Sequence, residues 1–219
     1  MNRTAIYTAI CGDYNSLQEH APNENVDWIC FSDTPRKSRT DWEIRHILTP
    51  AGMSPRMSAK RFKMRPDVYL PGHDASLWVD ATVRVDSPLF AEQAMACAEA
   101  TGLAMWPHPE RSDIWAEADV SITMPKYRSE PIALQVEHYI RNGLPRHSGL
   151  WCGGIIARHH TEQMARFGEA WLAEVDRWSV QDQLSLPWVI WQMGIQPGVF
   201  PASLYRNDWL TITGHNPLN

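Results

Sequence analysis

The chain has 219 residues, 44% of them hydrophobic and 21% charged, enough for one sizeable core and short for two typical domains, so a single domain over residues 1–219 is expected. A formal net charge of −5 and a pI near 6.0 argue against a broad basic surface for nucleic acid or anionic lipid, so any phosphate must be met locally. Cys11, Cys30, Cys97 and Cys152 are scattered with no CxxC pair, which points away from a disulfide framework or structural zinc site and towards reduced thiols in a cytosolic protein.

The opening MNRTAIYTAICGDYN runs into a strand pattern without the features of a signal peptide, and a cytoplasmic location is expected. No run approaches the roughly 18 to 20 apolar residues needed to cross a bilayer. A β-branched and aromatic strand over 4–10 empties into the turn formers Cys-Gly-Asp-Tyr-Asn. A second strand spans 26–31 and ends at Ser32-Asp33, and a third alternates over 42–48.

Residues 54–69 are basic, and a helix is expected over about the first ten. A strand pair, or one strand with a break, follows over 77–85 and carries Trp78-Val79-Asp80. Ser87-Pro88 opens a helix over 88–101 that Gly102 ends. A strand over 103–106 leads into a loop over 107–111, and a helix over 131–142 stops at Gly143. After a strand over 151–157, Met164, Phe167, Trp171, Leu172 and Val175 form the apolar stripe of a helix over 162–178. Ser179 and Asp182 have the spacing of a capping box for one more helix, inside which Pro187 sits oddly, and the tail over 197–219 is rich in turn formers. Strands alternating with helices favour a largely parallel sheet covered on both faces. Its ligand would lie at the carboxyl ends of strands, here the loops after residues 10, 31, 80 and 106.

Asp80 follows a run of apolar strand residues, so it is expected at a strand end, where a carboxylate near basic residues suits a hard cation bridging to diphosphate or, more simply, caps a turn. Arg56, Lys60 and Lys63 are spaced by four and three residues, one helical face that either holds phosphates and a departing nucleoside diphosphate or is a solvated basic surface. His108, with Glu110 and Arg111, either orients an acceptor hydroxyl or belongs to a rigid Pro-flanked turn. Asp182-Gln183 is a candidate pair for chemistry, with helix capping as its alternative. The small residues around Trp151 in Gly-Leu-Trp-Cys-Gly-Gly allow close approach of a ligand or of another backbone, and Trp151 is assigned with His108 and Arg111 to the acceptor. His159, His160 and His215 are possible metal ligands or structural residues. Eleven Trp suit cores and sugar-stacking platforms alike, and core packing is expected to account for most. GxGxxG, GK[ST], GxSxG and HExxH are all absent, which disfavours dinucleotide, ATP, serine-hydrolase and zinc-protease sites.

In order, TAIYTAICGDY, VDWICFSD, MSAKRFKMRPDVYLP, SLWVDATVRV, WPHPERSDIWAEAD, GLPRHSGLWCGGIIARHH and SVQDQLSLPWVIW resemble the plant mucilage-related glycosyltransferase-like family over roughly residues 4–195. The resemblance implies a GT-A-like α/β domain with a Rossmann-like mixed central sheet flanked by helices, similar in motif order to the retaining galactosyltransferases that include glycogenin. It implies that Thr8, Ala9, Tyr14 and Asp33 meet the nucleotide, together with Arg56, Lys60 and Asp80. The Asp-x-Asp motif of that group reads Asp80-Ala81-Thr82 here, without its second carboxylate. Asp182-Gln183 matches the pair that lies against the transferred sugar, and His215 resembles a C-terminal His that would join Asp80 on a divalent cation, Mn²⁺ or Mg²⁺.

The expected function is transfer of a sugar from a nucleoside diphosphate, UDP foremost, to a glycan or lipid-linked acceptor, with retention implied only by the Asp-Gln pair. A membrane-linked acceptor would add peripheral contact with the inner membrane surface. The competing readings are a metal-dependent hydrolase, with a lipid amide as substrate by analogy with a relative, and a non-catalytic carbohydrate-binding module.

Overall fold

The computed structural model describes residues 3–12 and 15–214, so Tyr14 and His215 lie outside the described residues. In chain order the strands are β1 (Thr4–Ile10), β2 (Val26–Ser32), β3 (Glu43–His46), β4 (Ala75–Val79), β5 (Val83–Val85), β6 (Leu103–Met105), β7 (Ile155–His159), β8 (Gly198–Val199) and β9 (Leu210–Ile212). The helices are α1 (Pro55–Met64), α2 (Pro66–Tyr69), α3 (Phe90–Ala98), α4 (Ile114–Thr123), α5 (Ile132–Arg141), α6 (Glu162–Arg177) and α7 (Asp182–Gln192).

Seven strands form the central sheet in the order β3-β2-β1-β4-β7-β6-β8, and β5 pairs with β9 outside it. β1 alternates Ala5, Tyr7 and Ala9 into one hydrophobic cluster with Ile6 and Ile10 into a second. Both its faces are covered, which is why it reads as a nearly continuous apolar run. Helices α1 and α4 to α7 supply the first cluster; α3, Trp28, Trp42 and Phe200 supply much of the second. This is the mixed, helix-flanked, GT-A-like architecture expected. Most of the Trp residues are buried in or packed against these two clusters. Among the described residues no helix is long and apolar enough to cross a membrane.

The sheet is largely parallel, as expected, with one strand reversed. β7 runs antiparallel to both β4 and β6. Its beginning, not its end, therefore lies at the edge where β1 and β4 finish, and the glycines that precede it, Gly153 and Gly154, are delivered to that edge.

Local chemistry explains where the helices begin. Ser54 accepts the Met57 N–H, and Pro55 occupies the first position of α1. α3 starts two residues later than expected, because the Ser87 hydroxyl accepts from Leu89 N in a turn and no side chain caps the helix. The capping box expected for α7 is not formed. The Ser179 hydroxyl donates instead to Gln135 Oε1 at 2.5 Å, and Gln181 precedes the helix without a side-chain cap. Pro187 is buried inside α7, where its missing N–H leaves the Gln183 carbonyl without the usual helical donor. The segment expected to be a strand over 151–157 pairs regularly only from Ile155, while Trp151 makes an isolated bridge to Pro107. α4 was not anticipated.

The far end of α1 is held unusually. Arg158 on β7 is 1% exposed, and its guanidinium donates to Met64 O at 3.2 Å, to Tyr7 Oη at 2.9 Å and to Lys63 O. A helix C-terminus leaves carbonyls unpaired and carries partial negative charge, so a buried cation suits it without a carboxylate partner. α6 crosses at the same place, where Gly168 brings its backbone against the Met64 carbonyl so closely that an added Cβ would overlap that oxygen. Both ends of α1 are thus fixed, and this helix carries the basic residues singled out above.

Candidate functional site

A pocket of about 350 Å³ opens at the carboxyl edge of β1 and β4, with Ala9, Cys11, Asn15, Trp78, Asp80 and Thr82 along its strand side. α1 contributes Arg56, Lys60 and Lys63, and the 3-10 turn over Pro125–Tyr127 contributes Lys126. The four-and-three spacing thus does put three cations of α1 on one face, and that face is a pocket wall. Lys126 carried no sequence signal, being isolated in Met-Pro-Lys-Tyr.

Asp80 leaves β4 with its backbone N–H donating to Gly154 O at 2.8 Å, and its Oδ1 accepts the Trp78 indole N–H at 2.7 Å. Its other oxygen faces Gly154, where an added Cβ would lie 3.1 Å from it. A Cβ on Gly153 would lie 3.2 Å from Lys63 Nζ. The main chain of these two glycines thus packs closely behind two charged side chains of the pocket.

Asp182, at the first turn of α7, is joined to the pocket across 119 residues of sequence: its Oδ2 accepts from Lys63 Nζ at 2.5 Å and pairs with Lys60 Nζ at 2.6 Å. Burial opposes the charge on Asp182, but Lys60 and Lys63 outweigh it and hold the carboxyl well below its ordinary range. Lys63 is buried between the Trp78 and Trp171 rings, and the attraction of Asp182 and Asp80 keeps its pKa above the ordinary value despite burial. Lys60 is different. Burial, joined by repulsion from Lys63, brings it down to about 8 even beside Asp182. Lys126 is likewise lowered, by burial and then by Arg56. Arg56 donates to the Lys126 carbonyl at 3.3 Å and lies over the Tyr127 ring.

Gln183 points elsewhere and donates to the Trp151 carbonyl at 3.3 Å, while the Trp151 indole N–H is buried without a partner among the described residues. His108 Nε2 lies 3.0 Å from Arg111 Nη2, and Arg111 Nε donates to Glu117 Oε2 at 2.7 Å. Glu117 is buried in α4 and accepts from Gln181, which also accepts from the Tyr127 hydroxyl. A polar chain thus links the His108 loop to the residue before Asp182. Burial and Arg111 lower the His108 pKa.

Two expected nucleotide residues do not line the pocket. Thr8 shares the strand face of Ile6 and Ile10, with a buried hydroxyl lacking a partner among the described residues. Asp33 lies beneath the loop, accepting from Gly12 N at 2.8 Å and from Thr49 Oγ1 at 3.0 Å. Arg36, which sequence reasoning missed, helps Asp33 secure that loop by donating to the carbonyls of Gly12 and Asn15. His159 and His160 end β7 at the opposite edge of the sheet, and His160 is tied to His73 O and Ser76 Oγ. The C-terminal segment reaches the site through Thr213, whose N–H donates to Thr82 O at 2.7 Å.

The described residues fit a divalent cation poorly. Mg²⁺ and Mn²⁺ favour several hard oxygen ligands, whereas among the described residues Asp80 is the one carboxylate in the pocket wall and stands among four cationic side chains. No group of three His, Cys, Asp or Glu side chains able to hold a metal occurs among the described residues.

The central sheet is GT-A-like, and a cationic pocket lies at its strand ends. Residues 39–208 match the model of the TOD1/MUCI70 glycosyltransferase-like domain, and the chain belongs to that family. It is 30% identical over 140 residues to an Arabidopsis thaliana protein named "Probable hexosyltransferase MUCI70", an alignment covering 59% of this chain and 24% of that relative. The chain thus corresponds to about a quarter of the relative it matches.

Proposed function

We propose that this domain transfers a hexosyl group from a nucleoside diphosphate, with UDP as the favoured nucleotide, to a glycan or lipid-linked acceptor, at the cytoplasmic side of the cell and with retention at the anomeric carbon. The observation that carries the reading is the convergence of Arg56, Lys60, Lys63 and Lys126 on one pocket beside Asp80. In this reading the C1–O bond to the diphosphate breaks with its electron pair passing to phosphate. The acceptor oxygen bonds to C1, and its proton goes to the departing diphosphate. The fixed cations stabilise the charge that grows on the leaving group, the point at which pre-positioned charge lowers a barrier most. Asp182 acts from behind the pocket, holding Lys60 and Lys63 in place, while Gln183 on the Trp151 carbonyl and the loop of His108 and Arg111 are assigned to the acceptor side.

The test is turnover of a panel of UDP- and GDP-hexoses, read as nucleotide released with and without oligosaccharide or glycolipid acceptors. Release from one sugar, enhanced by one acceptor class, is expected. A panel that neither binds nor turns over would remove the donor assignment.

Lys60 adds a pH signature. Its pKa of about 8 means that it loses its charge as pH rises through 8, in a range where a terminal phosphate, with its second pKa at about 6, is already ionised. UDP affinity measured by calorimetry should therefore weaken between pH 7 and 9. Lys60→Arg should flatten that profile, because a guanidinium stays charged throughout. An unaltered slope in the variant would show that Lys60 does not meet the phosphates.

A further inference from the structure

From the mismatch between this pocket and a divalent cation, we infer that the cluster of Arg56, Lys60, Lys63 and Lys126 takes the place of a metal ion and binds the donor's diphosphate directly. The inference rests on the donor reading above and specifies how that site works.

Charge balance favours it. Among the described residues the four cations of the wall face two carboxylates, Asp80 in the pocket and Asp182 behind it, an excess of two positive charges. The diphosphate of a sugar nucleotide carries two negative charges and neutralises that excess. A divalent ion entering as well would restore it, at short range and with restricted solvent, where like charges repel strongly. The carboxylates are also engaged already. Asp80 spends one oxygen on the Trp78 indole, and Asp182 is held by both lysines. Thr82, standing where a second carboxylate would be expected, offers only a hydroxyl.

The cations are also positioned before the donor arrives. The Arg158 guanidinium and the Ser54 cap hold the two ends of α1, Arg56 is braced on Tyr127, and Lys63 lies between two indoles. A metal supplies concentrated charge at a fixed place, and α1 supplies it from Arg56 and Lys63, whose side chains these contacts hold before any ligand binds.

The experiment is calorimetric titration of UDP into the full chain, once with Mn²⁺ and once with EDTA, with circular dichroism confirming that the chelator leaves the fold intact. The dissociation constant is expected to agree between the two within about twofold. Arg56→Ala and Lys126→Ala, at the rim, are each expected to weaken binding about tenfold, the loss of one charge-assisted hydrogen bond. In Asp80→Asn, UDP binding should persist with EDTA present. Binding that needs Mn²⁺, or that vanishes in Asp80→Asn, would overturn the inference while leaving the donor reading standing. Binding in neither buffer, by UDP or GDP, would overturn both.

Discussion

Asp182→Asn is expected to destabilise the domain by about 3 kcal/mol at pH 7, because breaking a buried ion pair leaves its partner's charge uncompensated. Lys63 is 4% exposed and Asp182 7% exposed at their side chains, so solvent offers little relief. Lys60 gives the loss a pH signature. Its folded pKa, about 8, lies below the ordinary lysine value, so the unfolded chain binds more protons above pH 8, and Lys60 titration adds stability to the wild type as pH climbs from there towards the ordinary value. Over that range the Lys60 pair has already been lost from the wild type. The difference between wild type and variant, taken from urea denaturation curves, should therefore narrow between pH 7 and 9. A variant as stable as wild type would deny that Asp182 is the counter-ion of the lysines. Sugar transfer is expected to fall about 100-fold or more, comparable with removal of one pre-positioned polar group.

Gly168→Ala should invert an ordinary rule. In a helix interior this replacement normally gains about 1 kcal/mol through helix propensity. Here the new methyl would occupy the place of the Met64 carbonyl oxygen, and a rigid backbone group cannot rotate away as a side chain would. We expect a net loss of about 2 kcal/mol, in the range of overpacked cores, visible as a lower thermal midpoint. The same displacement would move the end of α1 that carries Lys63, so UDP affinity should fall in the folded variant. A stabilised Gly168→Ala would mean that α6 and α1 are free to separate, and that the position of the lysines does not depend on their contact.

Gly198→Ala offers a control remote from the cations. Its added Cβ would overlap the Cys97 carbonyl oxygen, so stability should fall through a similar clash while UDP affinity in the folded fraction stays at the wild-type value. Loss of affinity there would show that general loosening, and not movement of α1, explains the Gly168 result.

What was readable in the sequence followed strong local patterns. β1 was expected over the residues it occupies, and α1 and α6 lie within a residue or so of their expected limits. α4 escaped because its buried side includes Glu117 and Ser121 beside Ile114 and Ala118, a polar network that breaks the apolar stripe. Its Asp113, which caps the helix by accepting from Ala116 N, was the available signal. The capping reading of Ser179 and Asp182 failed because partners distant in sequence won: Gln135 for one, the lysines of α1 for the other. Spacing identified the cationic face of α1 but could not reveal that it turns towards α7. The links from Arg111 through Glu117 to Gln181 were beyond any local pattern, since tertiary packing alone brings those side chains together.

The close approach of main chain at Gly153 and Gly154 to two charged side chains bears on how members of such a fold could diverge. A Cβ added at either glycine would crowd Lys63 Nζ or Asp80 Oδ2, so a substitution there disturbs the charged group it touches. If the domain transfers a hexose as proposed, selectivity between one hexose and another would fall to the side chains around the pocket, while the seat of the charges stays the same.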